Sequence, residues 1–254
     1  LKKVEKNRNP WNAAFKSWIA FNQSGRNRHR DYLNLPAFVA ALPSPVSSEL
    51  GLEIGGGEGT LARHLTKFGY KIQSTDFSAQ LIEEARRIET ESPLHIQYGV
   101  EDAEKLTFSD ETFDFALAFM CVMDLHHPDQ AFSEIFRVLK PGGYFQVSII
   151  HPCFGSPFHR KHVCDAQGKK IGVEIGQYNK EGLNPVEWHY PPEPAFTTFH
   201  HHLTLSHWIM LALNHGFKLE HMEEPYATPE IVEQCPHLEH TITVPDNLIL
   251  RFRK

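Results

Sequence analysis

The chain of 254 residues carries 25 Lys and Arg against 31 Asp and Glu, a formal charge of -6, with 41% hydrophobic and 22% charged residues. That balance excludes a disordered, collagenous or disulfide-scaffold protein and leaves ample length to bury a core. No apolar run reaches the ~18 residues of a membrane span and no signal peptide is visible. The four cysteines, Cys121, Cys153, Cys164 and Cys235, form no CxxC pair, so the expectation is a soluble, reduced, cytoplasmic protein.

Charge is unevenly placed: residues 1–30 hold eight Lys or Arg and one Glu, leaving -13 for the remainder. The start, Leu1 to Arg8, is basic. An acidic body repels a phosphate backbone, so this basic arm reads as a solvated face or a lid over an anionic ligand group rather than a nucleic-acid footprint.

From residue 48 onward, short β-type runs alternate with helical patterns, the signature of a parallel sheet covered by helices. A first strand, Glu49 to Ile54, ends in a glycine cluster, and Thr60 to Phe68 follows as a helix stopped by Gly69. A second strand, Tyr70 to Thr75, leads to Asp76, and Ser78 is placed to cap a helix bearing Leu81, Ile82, Ala85 and Ile88. A third strand falls at His95 to Val100, and a fourth at Phe113 to Met120, whose apolar run suits burial on both faces. Ala131, Phe132, Ile135, Phe136 and Leu139 form a helical face that Pro141-Gly142-Gly143 ends, before a fifth strand at Tyr144 to Ile150. Residues 152–200, rich in Pro, Gly, His and aromatics, show little periodicity and read as an insertion with few regular elements. A helix at Leu203 to His215 and strands at Phe217 to Met222 and Asn247 to Phe252 close the chain, the last pair antiparallel because their connection has no room for a full crossover helix.

The loop Glu53-Ile54-Gly55-Gly56-Gly57-Glu58-Gly59 joins a strand to a helix, where glycines let a ligand lie against bare backbone. Its spacing is G-x-G-x-G, not the G-x-G-x-x-G of dinucleotide sites, and no GK[ST] of a P-loop follows. Glu53 and Glu58 add negative charge that suits a ligand without phosphates but with positive charge. S-adenosylmethionine, with its sulfonium and amino group, is such a ligand.

These residues resemble motif I of the class I S-adenosylmethionine-dependent methyltransferases, and Asp76 matches the family's acidic residue for the ribose hydroxyls. Tyr98 to Phe108 is similar to the family's G-D-A-E-x-L-P-F segment, with two residues between Gly99 and Asp102, so Glu101 and Asp102 are both candidates to meet the adenine amino group beside Ala103. Asp114 and the run Arg137-Val138-Leu139-Lys140-Pro141-Gly142-Gly143 resemble the type 11 branch. The resemblance implies a Rossmann-like fold: a seven-stranded, mostly parallel sheet with an antiparallel last strand and helices on both faces. It implies one methyltransferase domain, with an N-terminal helical cap (1–47), a cofactor half (48–151), a lid after the fifth strand (152–200) and a C-terminal part (201–254).

In an open α/β sheet ligands lie beyond the carboxyl ends of the strands. Cofactor candidates are therefore Glu53, Gly55, Gly56, Gly57, Asp76, Phe77, Ser78, Glu101, Asp102, Ala103, Phe119 and Met120, and the family implies that an Arg or Tyr among Arg26, Arg28, Arg30 and Tyr32 meets the cofactor carboxylate. Histidines titrate near neutrality, so His151 leads and His126 or His127 follows as the base for an oxygen or nitrogen acceptor. Phe154, Phe158, Tyr178, Trp188, Tyr190, Phe196 and Phe199 are candidates to line an acceptor pocket, or they form a small satellite core, while Trp11 and Trp18 lie in the segment that the resemblance implies folds over the cofactor. Cys153, His159, His162 and Cys164 match no common zinc spacing, and His200-His201-His202 reads as exposed polar surface. The reading is methyl transfer to a small-molecule acceptor without nucleic acid or membrane; the rival is a cofactor-binding regulatory or partner subunit without turnover.

Overall fold

The computed structural model describes residues 10–254; the basic run Leu1 to Arg8 lies outside them. The chain opens with α1 (Pro10–Gln23), a π-helical turn (Arg30–Asn34) and α2 (Leu35–Ala40). Strands and helices then alternate: β1 (Gly51–Ile54), α3 (Thr60–Thr66), β2 (Ile72–Asp76), α4 (Ala79–Glu91), β3 (Gln97–Val100) and β4 (Phe113–Phe119). A 3-10 turn (Val122–Asp124), α5 (Pro128–Val138) and β5 (Leu139–Ile150) complete this half. The insertion holds β6 (Arg160–Cys164), β7 (Lys170–Ile175), β8 (Gly182–Trp188) and β9 (Phe196–His202). The chain ends with α6 (Leu205–Asn214), β10 (Lys218–Glu223), α7 (Pro229–Gln234), a 3-10 stretch (Pro236–Ile242) and β11 (Asn247–Arg253).

The main sheet has seven strands in the order β10-β11-β5-β4-β1-β2-β3, parallel except that β11 runs antiparallel to both β5 and β10. Side chains alternate across it as the strand period requires. On one face Ala116 and Ala118 of β4 pack with Phe132 and Ile135 of α5 and Trp208 and Leu211 of α6. On the other, Phe115 and Leu117 pack with Phe38 of α2, Leu61 and Leu65 of α3 and Ile82 of α4. The expected architecture is therefore present, including Ser78 as the cap of α4, accepting from Leu81 N–H.

Three expectations are corrected. Pro141-Gly142-Gly143 does not end the fifth helix: α5 stops at Val138, because Leu139 turns to extended backbone and already pairs with Phe113, and the Pro-Gly-Gly lies inside β5. The insertion is not irregular but two antiparallel hairpins, β6–β7 and β8–β9. The three histidines are not surface: His200 and His202 lie on the inward side of β9 and are buried, which the strand period dictates once β9 packs on α1.

The motif residues Asp114 and Arg137 are scaffold. Asp114 accepts from Leu50 N–H and pairs with Lys140 at the amino end of β4. Arg137 donates to the carbonyls of Leu106 and Phe108 and pairs with Glu134 and Asp110, which fixes the loop after β3.

Candidate active site

A cavity of about 640 Å³ opens at the carboxyl ends of β1, β2, β3 and β4, within the size range of small-molecule sites, ~300 to 1,000 Å³. Its floor is the glycine loop. Gly55 and Gly57 adopt left-handed backbone, with φ of 65° and 57°. A Cβ on Gly55 would collide with Cys121, while one on Gly57 would meet no atom within 4 Å, so this loop must stay bare at the first position and leaves room for a ligand at the second.

Asp76 ends β2 beside this loop and accepts from Gly57 N–H (2.9 Å) with Oδ2 and from Ser78 N–H (2.7 Å) with Oδ1. Each oxygen keeps a further lone pair, so the carboxylate can still accept from two hydroxyls. Burial pushes Asp76 up to about 6, against the pull of those two amides. Glu53 lies beneath the loop, accepts from Ser74 Oγ at 2.5 Å, and is pushed up to about 7 by burial, with Asp76 and Glu58 adding repulsion. A cation above this floor would favour the ionised form of both acids.

At the far end of the floor, Glu101, Asp102 and Ala103 line the cavity. Each oxygen of Glu101 accepts from Thr107, through N–H (3.0 Å) and Oγ (2.6 Å), whereas among the described residues Asp102 accepts from Glu104 N–H with Oδ1 alone. Asp102 is the carboxylate with the greater spare acceptor capacity.

The roof comes from α1 and from hairpin β8–β9. Trp11, Trp18 and Trp188 are in mutual contact, with ring centroids 5.0 to 6.3 Å apart, and Tyr190 stacks on Phe21 at 3.6 Å. Arg26 pairs with Glu193 and bonds the Pro191 carbonyl, tying the two roof elements together. Asn22 donates to Glu58 and Ser78 donates to Asn12, which fastens α1 to the floor. Asp124 sits where roof meets floor: Trp11 bonds it, His200 Nε2 lies 3.0 Å away without hydrogen-bond angles, and burial raises the acid while lowering the imidazole to about 4.

Of the expected cofactor residues, Glu53, Gly55, Gly56, Gly57, Asp76, Phe77, Glu101, Asp102, Ala103, Phe119 and Met120 line this cavity; Ser78 does not, and acts through Asp76 and α4. His126 and His127 line it as well. His151 does not: it is 1% exposed, its Nε2 faces Glu224 at 2.7 Å and its Nδ1 accepts from Cys153 N–H, so both ring nitrogens are committed elsewhere. Trp188, Tyr190 and Phe199 of the insertion reach the cavity, while Phe154 packs on His151, Phe158 on His202, and Tyr178 bonds Leu205 N–H. Among Arg26, Arg28 and Arg30, only Arg30 lines it; its Nε pairs with Asp31 and its Nη1 bonds Asn22. Sequence reasoning missed Asn22, His29 and Asp124, for which no local motif exists.

Comparison with known proteins agrees with this geometry. A family described as "Methyltransferase domain" matches residues 52–147. A demethylmenaquinone methyltransferase of Protochlamydia amoebophila is 32% identical over 41% of this chain and 46% of its own, and phosphoethanolamine N-methyltransferase 2 of Caenorhabditis elegans is 27% identical over 44% and 25%. The matched stretch thus spans a quarter to just under half of the length of these curated relatives. Along most of its length the chain is similar to an S-adenosylmethionine-dependent methyltransferase structure from Mesorhizobium loti, with 25% identity, a TM-score of 0.73 and coverage of 86% of this chain and 96% of the other. A structure from Listeria monocytogenes shares the fold at a TM-score of 0.72. Residues 52–147 thus match a methyltransferase domain, and the chain as a whole shares the fold of S-adenosylmethionine-dependent methyltransferase structures.

Proposed function

We propose that this protein transfers a methyl group from S-adenosylmethionine to a small, partly apolar acceptor, in the cytoplasm. The observation that carries this reading is a single cavity with a glycine loop, Asp76 and Asp102 along its floor and an aromatic roof above. Bound S-adenosylmethionine supplies an electrophilic methyl group on a sulfonium. The chain supplies position and dryness. Asp76 accepts from both ribose hydroxyls, Asp102 from the adenine amino group beside Ala103, and bare backbone at Gly55 to Gly57 faces the methionine portion. Arg30, whose Nη2 has no partner among the described residues, meets the carboxylate. Phe119 and Met120 would face the methionine part, and Glu53 and Glu58 would offset the positive charge of the sulfonium. Trp11, Trp18, Trp188, Tyr190 and Phe199 exclude water and hold the acceptor in line with the methyl carbon, which provides much of the acceleration such a transfer needs.

The four cysteines, none disulfide-bonded, support a reducing compartment. Among the described residues no helix is long and apolar enough to cross a membrane. In a thermal-shift assay S-adenosylhomocysteine should raise the melting temperature and NAD should not. Release of S-adenosylhomocysteine across a panel of small hydroxyl, amine and thiol compounds should then identify the acceptor class. Stabilisation by NAD alone, or a steep fall in turnover with salt on a tRNA substrate, overturns the proposal.

A further inference from the structure

Behind the cavity wall on its β5 side stands a polar cluster that reaches the cavity through His29. Asp246 precedes β11, whose first residue pairs with Ile150 at the carboxyl end of β5. Its carbonyl accepts from His151 N–H, and the neighbouring Asn247 amide lies 3.3 Å from Met120 Sδ on the cavity wall. The carboxylate is fixed from three directions: Arg160 of β6 bonds Oδ1 at 2.7 Å, His240 bonds Oδ2 at 2.7 Å, and His29 Nε2 stands 3.4 Å from the same oxygen. Burial alone would raise this acid, but hydrogen bonds and charge from His240 and His29 hold it well below the usual carboxylate range.

His29 lines the cavity and precedes Arg30. Its side chain is 32% exposed, in contrast to His200, which is 7% exposed and faces Asp124. Nε2 faces the ionised Asp246 across 3.4 Å without hydrogen-bond angles, so a small turn of the ring lets it donate there and carry the proton on that nitrogen. Nδ1 then keeps a lone pair and has no hydrogen-bond partner among the described residues. A ring nitrogen oriented by a fixed carboxylate and bordering a ligand cavity is the arrangement of a general base, and such contacts are often long before ligand binds.

We infer that His29, positioned by Asp246, takes the proton of the methyl acceptor, so that the acceptor carries an ionisable O–H or N–H. This rests on the methyl-transfer reading above. As the acceptor atom's lone pair forms its bond to the methyl carbon, the carbon–sulfur bond breaks with its electron pair remaining on sulfur. The acceptor's proton passes to His29 Nδ1, and the imidazolium so formed faces Asp246 and later returns the proton to solvent. The charges around His29 are Asp246, which favours the imidazolium, and Arg28, Arg30, Arg160, His237 and His240, which oppose it.

The test uses the full chain with S-adenosylhomocysteine bound and observes histidine ring nitrogens by NMR. The signal missing in His29→Gln should show the proton on Nε2 at neutral pH. In Asp246→Asn the ring should no longer hold its proton on Nε2, as when the carboxylate that orients an imidazole is replaced by an amide, and Asp246→Glu should restore it there. A proton on Nδ1 in the wild-type protein, or a tautomer unmoved in Asp246→Asn, overturns the assignment. With 2-naphthol as acceptor, His29→Gln should lower the rate at pH 7 by about 100-fold, with the deficit shrinking as pH approaches the naphthol's own ionisation. A deficit equal at every pH also overturns it. Failure of S-adenosylhomocysteine to bind the wild-type protein instead strikes the methyl-transfer reading itself.

Discussion

The floor of the cavity draws Gly55, Asp76 and Asp102 from the ends of successive parallel strands, whereas the roof joins Trp11 and Trp18 to Trp188 and Tyr190 from opposite ends of the sequence. The floor is held by backbone: β1 and β2 are paired residue by residue, and Asp76 is pinned by two amides. The roof is held by side chains, through ring contacts, one Arg26–Glu193 pair and a few bonds to the floor. Geometry set by a hydrogen-bonded ladder is insensitive to substitution of neighbouring side chains, while geometry set by ring packing is not. The difference makes the floor the place for an invariant cofactor and the roof the place where acceptor choice is tuned.

Trp188→Ala is the harshest way to break that division. Removing the ring at the centre of the roof should cost about 3 kcal/mol of local stability, and hydrogen exchange should rise in 182–202 while β1, β4 and β5 stay protected. Equal loss of protection in the sheet would mean that roof and floor unfold as one unit. Asp76→Ala attacks the floor. It should weaken S-adenosylhomocysteine by about 1.5 to 3 kcal/mol in calorimetry, the worth of hydrogen bonds to a charged acceptor, with the roof unaffected. Arg30→Ala should cost about tenfold in affinity for S-adenosylhomocysteine but nothing for methylthioadenosine, which lacks the carboxylate; equal losses for both would remove Arg30 from that role.

The smallest effect is a pH dependence. Asp76 and Glu53 titrate above their unfolded values, so the folded chain retains protons that the unfolded chain releases between about pH 4 and 7, and these two groups favour folding less as pH rises through that window. A ribose diol favours the ionised Asp76. Affinity for S-adenosylhomocysteine should therefore fall below pH about 6, approaching tenfold per unit, and Asp76→Asn should flatten that dependence.

The floor was legible because its chemistry is local: a strand, a run of glycines and an acid at the next strand's end are written within short windows. The hairpins were not. In β8 the inward side carries Asn184 and Val186 and the outward side Leu183 and Pro185, so hydropathy does not alternate with burial, and a proline argues against a strand anywhere but an edge. The histidines of β9 face inward for the same reason, with neighbours supplied by α1 rather than by the sheet. His151 had the right position along the chain, at the end of β5, but the turn that follows folds its ring under Phe154 and against Glu224. Neither that turn nor the convergence of His29 with Asp246 leaves a local trace, since each depends on long-range packing.

The bonds from Asn22 to Glu58 and between Asn12 and Ser78 join the roof helix to the same loop and helix start that would cradle the cofactor. A ligand bound there lies beneath α1, so lifting α1 would widen its way out. Turnover would inherit the clock of that opening wherever release is slower than bond making. Substitutions such as Asn22→Ala, which touch no reacting atom, would shorten the residence time of the product and set the pace of the cycle.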